Sequence, residues 1–484
     1  MKGDKHMIRT RFAPSPTGYM HIGNLRTALY AYLIAKKDNG KFLLRIEDTD
    51  KDRQVEGALE VIYDTLKSVN LIYDEGPNVG GNYGPYIQSE RLPIYKEYAE
   101  KLIELGGARY CFCTEEEIET SRENAEKQGI TFKYNDPCKN MRLEDARKRI
   151  ALGEKYVIRQ TIDPRGVSAY HDEVYGKIEV ENAILDESVL LKSDGYPTYN
   201  FANVIDDHLM EITHVIRGNE YLSSTPKYNL IYKSFGWETP KYLHLPTVMK
   251  DEQHKLSKRN GDASFQDLIE KGYLPEAIIN YIALLGWSPG SEQEVFSLKE
   301  LTEVFSIERL NKAPAIFDIE KLKWLNGVYI RNLSLEEFHN KAKKYYNFTK
   351  NIDEKAVSKT LQQRVELLAD IPEMIDFVNE LPEYSTELYI HKKMKTDEQI
   401  SKIVLEKIKE VIEGLNDWTE QNIHDELMKL PEQMNMKNGQ VLWPLRTAIS
   451  GKAFTPGGAV EWSYILGKEE TLRRINVGIE KLSM

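Results

Sequence analysis

At 484 residues the chain exceeds what one hydrophobic core usually supports, so about two to four domains are expected. Its 41% hydrophobic and 29% charged content is that of an ordinary globular protein; it shows no apolar run of membrane-spanning length and no apolar stretch after its N-terminal lysines. Neither a membrane span nor a secretory leader is therefore expected, and a cytoplasmic location is predicted. A formal net charge of -11 excludes indiscriminate polyanion binding but leaves room for a locally basic face. Three cysteines cannot close a disulfide framework and suit a reducing compartment or a metal site.

Short apolar strands are expected at Ile8 to Phe12 and Phe42 to Ile46, around a helical pattern from Leu25 to Lys37 that Gly40 closes. This strand-helix-strand unit is the expected start of a Rossmann-like, doubly wound parallel sheet. A helix over Glu90 to Leu105 and a strand over Arg109 to Phe112 follow. From Cys111 to Leu190 the alternation is lost: a polar helix over Glu115 to Gln128 precedes β-like segments at Tyr156 to Ile162 and Lys177 to Val180, as in an insertion within the nucleotide fold. The second half resumes with a helix through Phe201 to Asp207 and a strand at His214 to Arg217. Helices run from Ser264 to Lys323, and helical periodicity dominates from Leu333 onward, over Glu354 to Ala369, Ile371 to Glu380, Ser401 to Leu415, Gln440 to Ser450 and Glu469 to Lys481. The expected domains are 1–110 and 191–255 (the two halves of the nucleotide-binding fold), 111–190 (the insertion), 256–330 (a helical junction) and 331–484 (an all-helical region).

Two motifs carry the chemistry. Arg11-Phe12-Ala13-Pro14-Ser15-Pro16-Thr17-Gly18-Tyr19-Met20-His21-Ile22-Gly23-Asn24 is a proline-rich turn that opens a helix. A helix start offers unpaired N–H groups and partial positive charge to phosphate, and glycine permits close approach. Far downstream, Lys255-Leu256-Ser257-Lys258-Arg259 supplies cations able to neutralise charge around a pentacoordinate phosphorus. Alone, the first is a helix-start turn and the second a solvated basic loop. Together they are parts for handling a nucleoside triphosphate.

These motifs closely resemble those of class I aminoacyl-tRNA synthetases, specifically the bacterial glutamyl family. The resemblance extends through Arg45-Ile46-Glu47-Asp48-Thr49-Asp50, Asp194 to Asn203, Val215-Ile216-Arg217-Gly218, Phe317-Asp318 and Lys321 to Gly327. One departure is Asn24, which stands where the family signature ends in histidine. The resemblance implies attack of the glutamate carboxylate on the α-phosphorus of ATP, with Mg2+ accompanying the triphosphate, then transfer of the glutamyl group to the 3'-terminal adenosine of tRNA. It also implies that the insertion receives the tRNA acceptor end and that the helical region reads the anticodon.

Such a reaction is mainly positioning and charge stabilisation, so no side-chain nucleophile is required. His21, Lys255 and Lys258 are the expected catalytic residues, and Thr17, Gly18, His21, Gly23 and Lys255 to Arg259 the expected ATP contacts, Leu256 and Ser257 included. Glu220 and Tyr221 are nucleotide contacts by resemblance. Glutamate presents two carboxylates and an ammonium, which suits Arg11 and Arg217 for the former and Glu47 for the latter; resemblance adds Ser15, Tyr199 and Asn203.

Cys111-x-Cys113 with Cys138 matches a zinc spacing of some glutamyl enzymes, but Asn140 stands where those have histidine. Two readings stand: a Zn2+ site completed by the Tyr134 phenolate, as in a related truncated family, or three reduced cysteines left from a degenerate site. Function also divides. The leading expectation is a monomeric enzyme charging tRNA-Glu with L-glutamate. The alternatives are an enzyme that also or only charges tRNA-Gln and, from another class, an inactive tRNA-binding paralogue, against which intact His21, Lys258 and Arg217 speak.

Overall fold

The computed structural model describes residues 7–127, 129, 137–256 and 264–484. They fall into two compact units, one drawn from Met1–Asp267 and Ile278–Asp318, the other from Leu268–Ala277 and Ile319–Met484.

In the first unit, strand β1 (Arg9–Phe12) is buried at every position although two of its four residues are arginine. Arg9 and Arg11 share one face, as the two-residue period of a strand requires, and each meets a carboxylate: Arg9 pairs with Glu75 at 2.8 Å and Arg11 with Asp207 at 2.9 Å. Helix α1 (Ile22–Lys37) returns the chain to β2 (Lys41–Leu44), which pairs in parallel with β1. At Gly40, which closes that helix, a Cβ would collide with the Ile8 carbonyl, so only glycine allows so tight a return.

Helices α2 (Ala58–Ser68) and α3 (Leu92–Glu104) precede β3 (Ala108–Cys111), α4 (Glu115–Lys127), α5 (Leu143–Ala151) and strands β4 (Val157–Gln160), β5 (Val167–Asp172), β6 (Gly176–Glu181) and β7 (Val189–Leu191). Then come α6 (Tyr199–Leu209), β8 (His214–Gly218), α7 (Thr225–Phe235) and β9 (Lys241–Leu245). The main sheet has six strands in the order β2-β1-β8-β9-β5-β6, parallel except for the last pair. Local pattern anticipates its first half and misses β9, β5 and the place of the β5–β6 hairpin. That hairpin lies within the stretch expected to be a separate insertion, yet β5 joins the main sheet beside β9, with Asp172 opposite Tyr242. Strands β3, β4 and β7 form their own antiparallel sheet. Strand β5 alternates more and less exposed residues like any half-buried strand, and its partner β9 is set by a long-range pairing that periodicity does not contain.

The second unit is helical around one core that includes Leu274, Phe338, Val404, Leu405, Ile408, Leu445, Trp462 and Ile475. Its helices begin with strong caps: Ser334 and Glu337 form a reciprocal capping box, and Asp397 accepts from the Ile400 N–H at 2.7 Å. The helix expected over Glu354 to Ala369 stops at Leu361, where the Gln362 amide turns to the Ile330 and Leu333 carbonyls at 3.2 and 2.7 Å. Arg474 is fully buried; it donates to the Phe377, Ile449 and Val378 carbonyls and pairs with Glu470 at 2.7 Å. Among the described residues no helix is long and apolar enough to cross a membrane.

Candidate functional site

The turn after β1 is fixed by the backbone: Glu47 N–H donates to the Pro14 carbonyl and Val55 N–H to the Pro16 carbonyl, both at 3.0 Å. Gly18 has φ of 107°, which disfavours any side chain there. His21 caps α1, and its Nδ1 accepts from the Gly23 N–H at 3.0 Å. A Cβ on Gly23 would sit 3.2 Å from that nitrogen, so glycine lets the imidazole fold onto the helix start. Because Nδ1 is the acceptor, the proton resides on Nε2, which donates to the Leu256 carbonyl at 3.2 Å. His21 thus touches the start of the lysine segment, and a bridge to Ser264 and a Phe265 N–H bond to the Met20 carbonyl at 2.9 Å hold the chain beyond it. Lys255 is exposed and Leu256 buried. Ser257, Lys258 and Arg259 lie outside the described residues.

Of the expected glutamate-binding residues, Ser15 is exposed, whereas Arg11, Glu47, Asn203 and Arg217 are buried. Arg11 binds Asp207 through Nε and Nη2, and Arg45 binds Asp207 at 2.7 Å and Glu47 at 3.0 Å. Burial pushes the Glu47 carboxyl up, against the pull of Arg45 and Arg11, so an added ammonium would favour its ionised form. Burial alone would raise Asp207 too, but Arg11 and Arg45 hold it below the usual carboxylate range. The Asn203 amide donates to the Tyr199 carbonyl, and the Tyr199 ring lies 4.9 Å from that of Tyr221. Glu220 is exposed beside it.

Arg217 is 5% exposed and makes no ion pair among the described residues. Its guanidinium carbon lies 5.1, 5.0 and 5.4 Å from the ring centres of Tyr221, Tyr228 and Tyr242. Burial disfavours its charge, but the surrounding phenols, Tyr199 first, more than restore it and raise its basicity. Nε donates to His244 Nε2 at 3.1 Å and Nη2 to Thr225 Oγ1 at 2.6 Å. His244 in turn meets Asp172, Nδ1 to Oδ2, at 2.6 Å, both fully buried. Sequence reasoning finds Arg217 and misses Arg45, Asp207, Thr225, His244 and Asp172. The adjacent acids Asp206-Asp207, directly after the apolar pair Val204-Ile205, are a signal for buried arginine partners, whereas Asp172 and His244, distant in sequence, carry none.

The three cysteines converge. Their sulfurs lie within 4.8 Å of one another, with Cys113 and Cys138 at 3.9 Å. Tetrahedral zinc with Zn–S of about 2.3 Å would set sulfurs about 3.8 Å apart, so the thiols fit that ion. Tyr134 lies outside the described residues, and Asn140 is exposed.

Comparison with known proteins accords with this geometry. Residues 7–324 match the family described as tRNA synthetases class I (E and Q), catalytic domain, and residues 337–479 match an anticodon binding domain. A glutamate–tRNA ligase of Clostridium tetani is 60% identical over 484 residues, covering 100% of this chain and 99% of that protein. One from Clostridium botulinum strain Hall is 61% identical over 477 residues, 98% of each. Among solved structures, a glutamate tRNA ligase from Elizabethkingia meningosepticum in complex with its amino acid aligns with a TM-score of 0.88 at 36% identity, covering 99% of this chain and 100% of that one. The chain belongs to the glutamate–tRNA ligase family of the class I tRNA synthetases.

Proposed function

We propose that the chain joins L-glutamate to tRNA in two steps, forming glutamyl-adenylate from ATP and transferring the glutamyl group to the 3'-terminal adenosine. The observation that carries this reading is Arg217, a buried cation in a cage of tyrosines with no carboxylate of its own among the described residues. A substrate carboxylate completes that cage, and Glu47 is suited to the ammonium. Arg11 and Arg45 keep Asp207 and Glu47 in place, so in this proposal Arg11 acts on glutamate while shared with Asp207. The helix start at His21 and the cations Lys255, Lys258 and Arg259 serve the triphosphate with its Mg2+, and Glu220 and Tyr221 serve the nucleoside.

In the same proposal the sheet of β3, β4 and β7, with the segment around it, receives the acceptor end, and the helical unit reads the anticodon. Recognition of this kind uses unstacked bases at loops and ends, so two local contacts suffice for an acidic protein. Cys111, Cys113 and Cys138 would hold a structural Zn2+, supported by the convergence of their sulfurs. The deciding experiment is aminoacylation of purified tRNA-Glu and tRNA-Gln side by side. Charging of tRNA-Glu alone is expected; equal charging of both would assign a non-discriminating enzyme, and charging of neither would overturn the reading.

A further inference from the structure

We propose that Asp172 and His244 are positioning residues for amino-acid selection: they hold Arg217 in a fixed orientation while leaving its charge unneutralised for a substrate carboxylate. The inference rests on the assignment of Arg217 to the substrate.

The hydrogen bonds determine every proton in the chain of contacts. Asp172 Oδ1 accepts the N–H groups of Val174 at 3.0 Å and Tyr175 at 2.8 Å, and Oδ2 accepts the N–H of His244 at 3.1 Å and its Nδ1 at 2.6 Å. An acid that meets only N–H donors is an ionised acceptor. His244 Nδ1 therefore carries the proton. On the far side of the ring Arg217 Nε can only donate, so His244 Nε2 presents its lone pair and the imidazole is neutral. Thr225 Oγ1 also lies 3.2 Å from Nε2, but its single proton goes to the Tyr221 carbonyl at 2.8 Å, which leaves it an acceptor for Arg217 Nη2. Burial keeps His244 below its ordinary range, in keeping with the neutral ring.

Two consequences follow for Arg217. One edge of its fork is held by two neutral acceptors, so the guanidinium cannot swing within its cage. Its hydrogen-bonded route to the Asp172 carboxylate passes through the imidazole, whereas Arg9, Arg11, Arg45 and Arg91 each pair with an acid directly. A guanidinium kept charged and oriented favours an anionic side-chain carboxylate over the neutral amide of glutamine. A carboxylate in place of His244 would give equal rigidity and cancel that preference.

The test uses the full-length enzyme with tRNA. Asp172→Asn keeps shape but cannot satisfy both the two backbone N–H groups and Nδ1–H, so it disturbs the tautomer that Arg217 needs. His244→Leu removes the acceptor, and His244→Gln restores a carbonyl acceptor and an amide donor. Asp172→Asn and His244→Leu should each raise the KM for glutamate about tenfold or more and narrow glutamate-to-glutamine discrimination by a similar factor, with kcat and the KM for ATP within about threefold of wild type. His244→Gln should recover most of the loss. The two disruptive variants are independent, so misfolding of one leaves the other to decide. Unchanged glutamate KM in a folded variant, or equal damage to the ATP and glutamate parameters, would reduce the pair to a staple between β5 and β9. Arg217→Met run in parallel separates the two failures: a normal Arg217→Met overturns the substrate assignment itself, whereas a defective one beside normal Asp172 and His244 variants overturns only the positioning role.

Discussion

Replacing Arg217 by methionine keeps an unbranched side chain among Tyr221, Tyr228 and Tyr242 and deletes only the charge and its donors. Recognition and stability should then part company. For recognition, the enzyme loses a bidentate, charge-assisted contact in a buried site, and truncating one member of such a pair costs about 3–5 kcal/mol. That is roughly two to three and a half orders of magnitude in kcat/KM for glutamate. For stability, the terms oppose one another. The bonds to His244 and Thr225 are lost, at 3.1 and 2.6 Å, and leave two buried acceptors short of a donor. Against this, a charge with no ion pair among the described residues no longer has to be desolvated, a relief of several kcal/mol. The two nearly cancel, so unfolding free energy should change by less than about 2 kcal/mol. The assay is aminoacylation over a range of glutamate and of glutamine concentrations, beside urea unfolding of the same preparation. Glutamine use should fall far less than glutamate use. A parallel fall in both, or a loss for glutamate below about tenfold, would refute the assignment of the guanidinium to the side-chain carboxylate.

Lys258→Ala should lower glutamyl-adenylate formation about 100-fold or more, close to 3 kcal/mol of lost transition-state stabilisation, with glutamate binding nearly intact. A defect confined to glutamate KM would move that role elsewhere. Elemental analysis of protein expressed with ample zinc should find about one Zn2+ per chain, lost in Cys113→Ala; protein without zinc would favour the degenerate-site reading. The first unit should weaken in mild acid through His214, which burial, with Lys241 adding to it, lowers from its ordinary 6.5 to about 4. A depressed folded value means that the unfolded chain binds the extra proton first, so this contribution is whole above about pH 6.5 and is lost as pH falls toward 4, about 2 kcal/mol between pH 7 and pH 5. Hydrogen exchange of the β1 amides in His214→Gln should show a shallower pH dependence than wild type, and an identical one would remove His214 as the cause.

What could be read in advance follows a physical division. β1, α1, β2 and the His21 turn are legible because each is specified by neighbours in sequence: a buried apolar period, a glycine return, a capping residue. Arg217 is legible through the resemblance carried by Val215-Ile216-Arg217-Gly218 and because a substrate with two carboxylates calls for arginines. The Asp172–His244 contact is not legible, because these partners 72 residues apart meet only through the pairing of β5 with β9; the adjacent acids Asp206-Asp207 signal arginine partners but not that these are Arg11 and Arg45. The same limit explains the helix that ends at Leu361 instead of Ala369: the Gln362 bonds that end it reach the Ile330 and Leu333 carbonyls, about thirty residues away.

The interleaving of the two units has a practical bearing on how such proteins are cut and recombined. The chain passes from the first unit to the second at Asp267–Leu268, back at Ala277–Ile278, and over again at Asp318–Ile319. A deletion of residues 331–484 would therefore strand Leu274 and Ala277, which pack in the helical core, together with all but the last two residues of the helix Ile319–Asn332. No single junction exchanges one unit for that of another enzyme. A chimera with a different second unit has to transplant Leu268–Ala277 along with everything after Asp318, and natural crossovers between such genes face the same three-junction requirement.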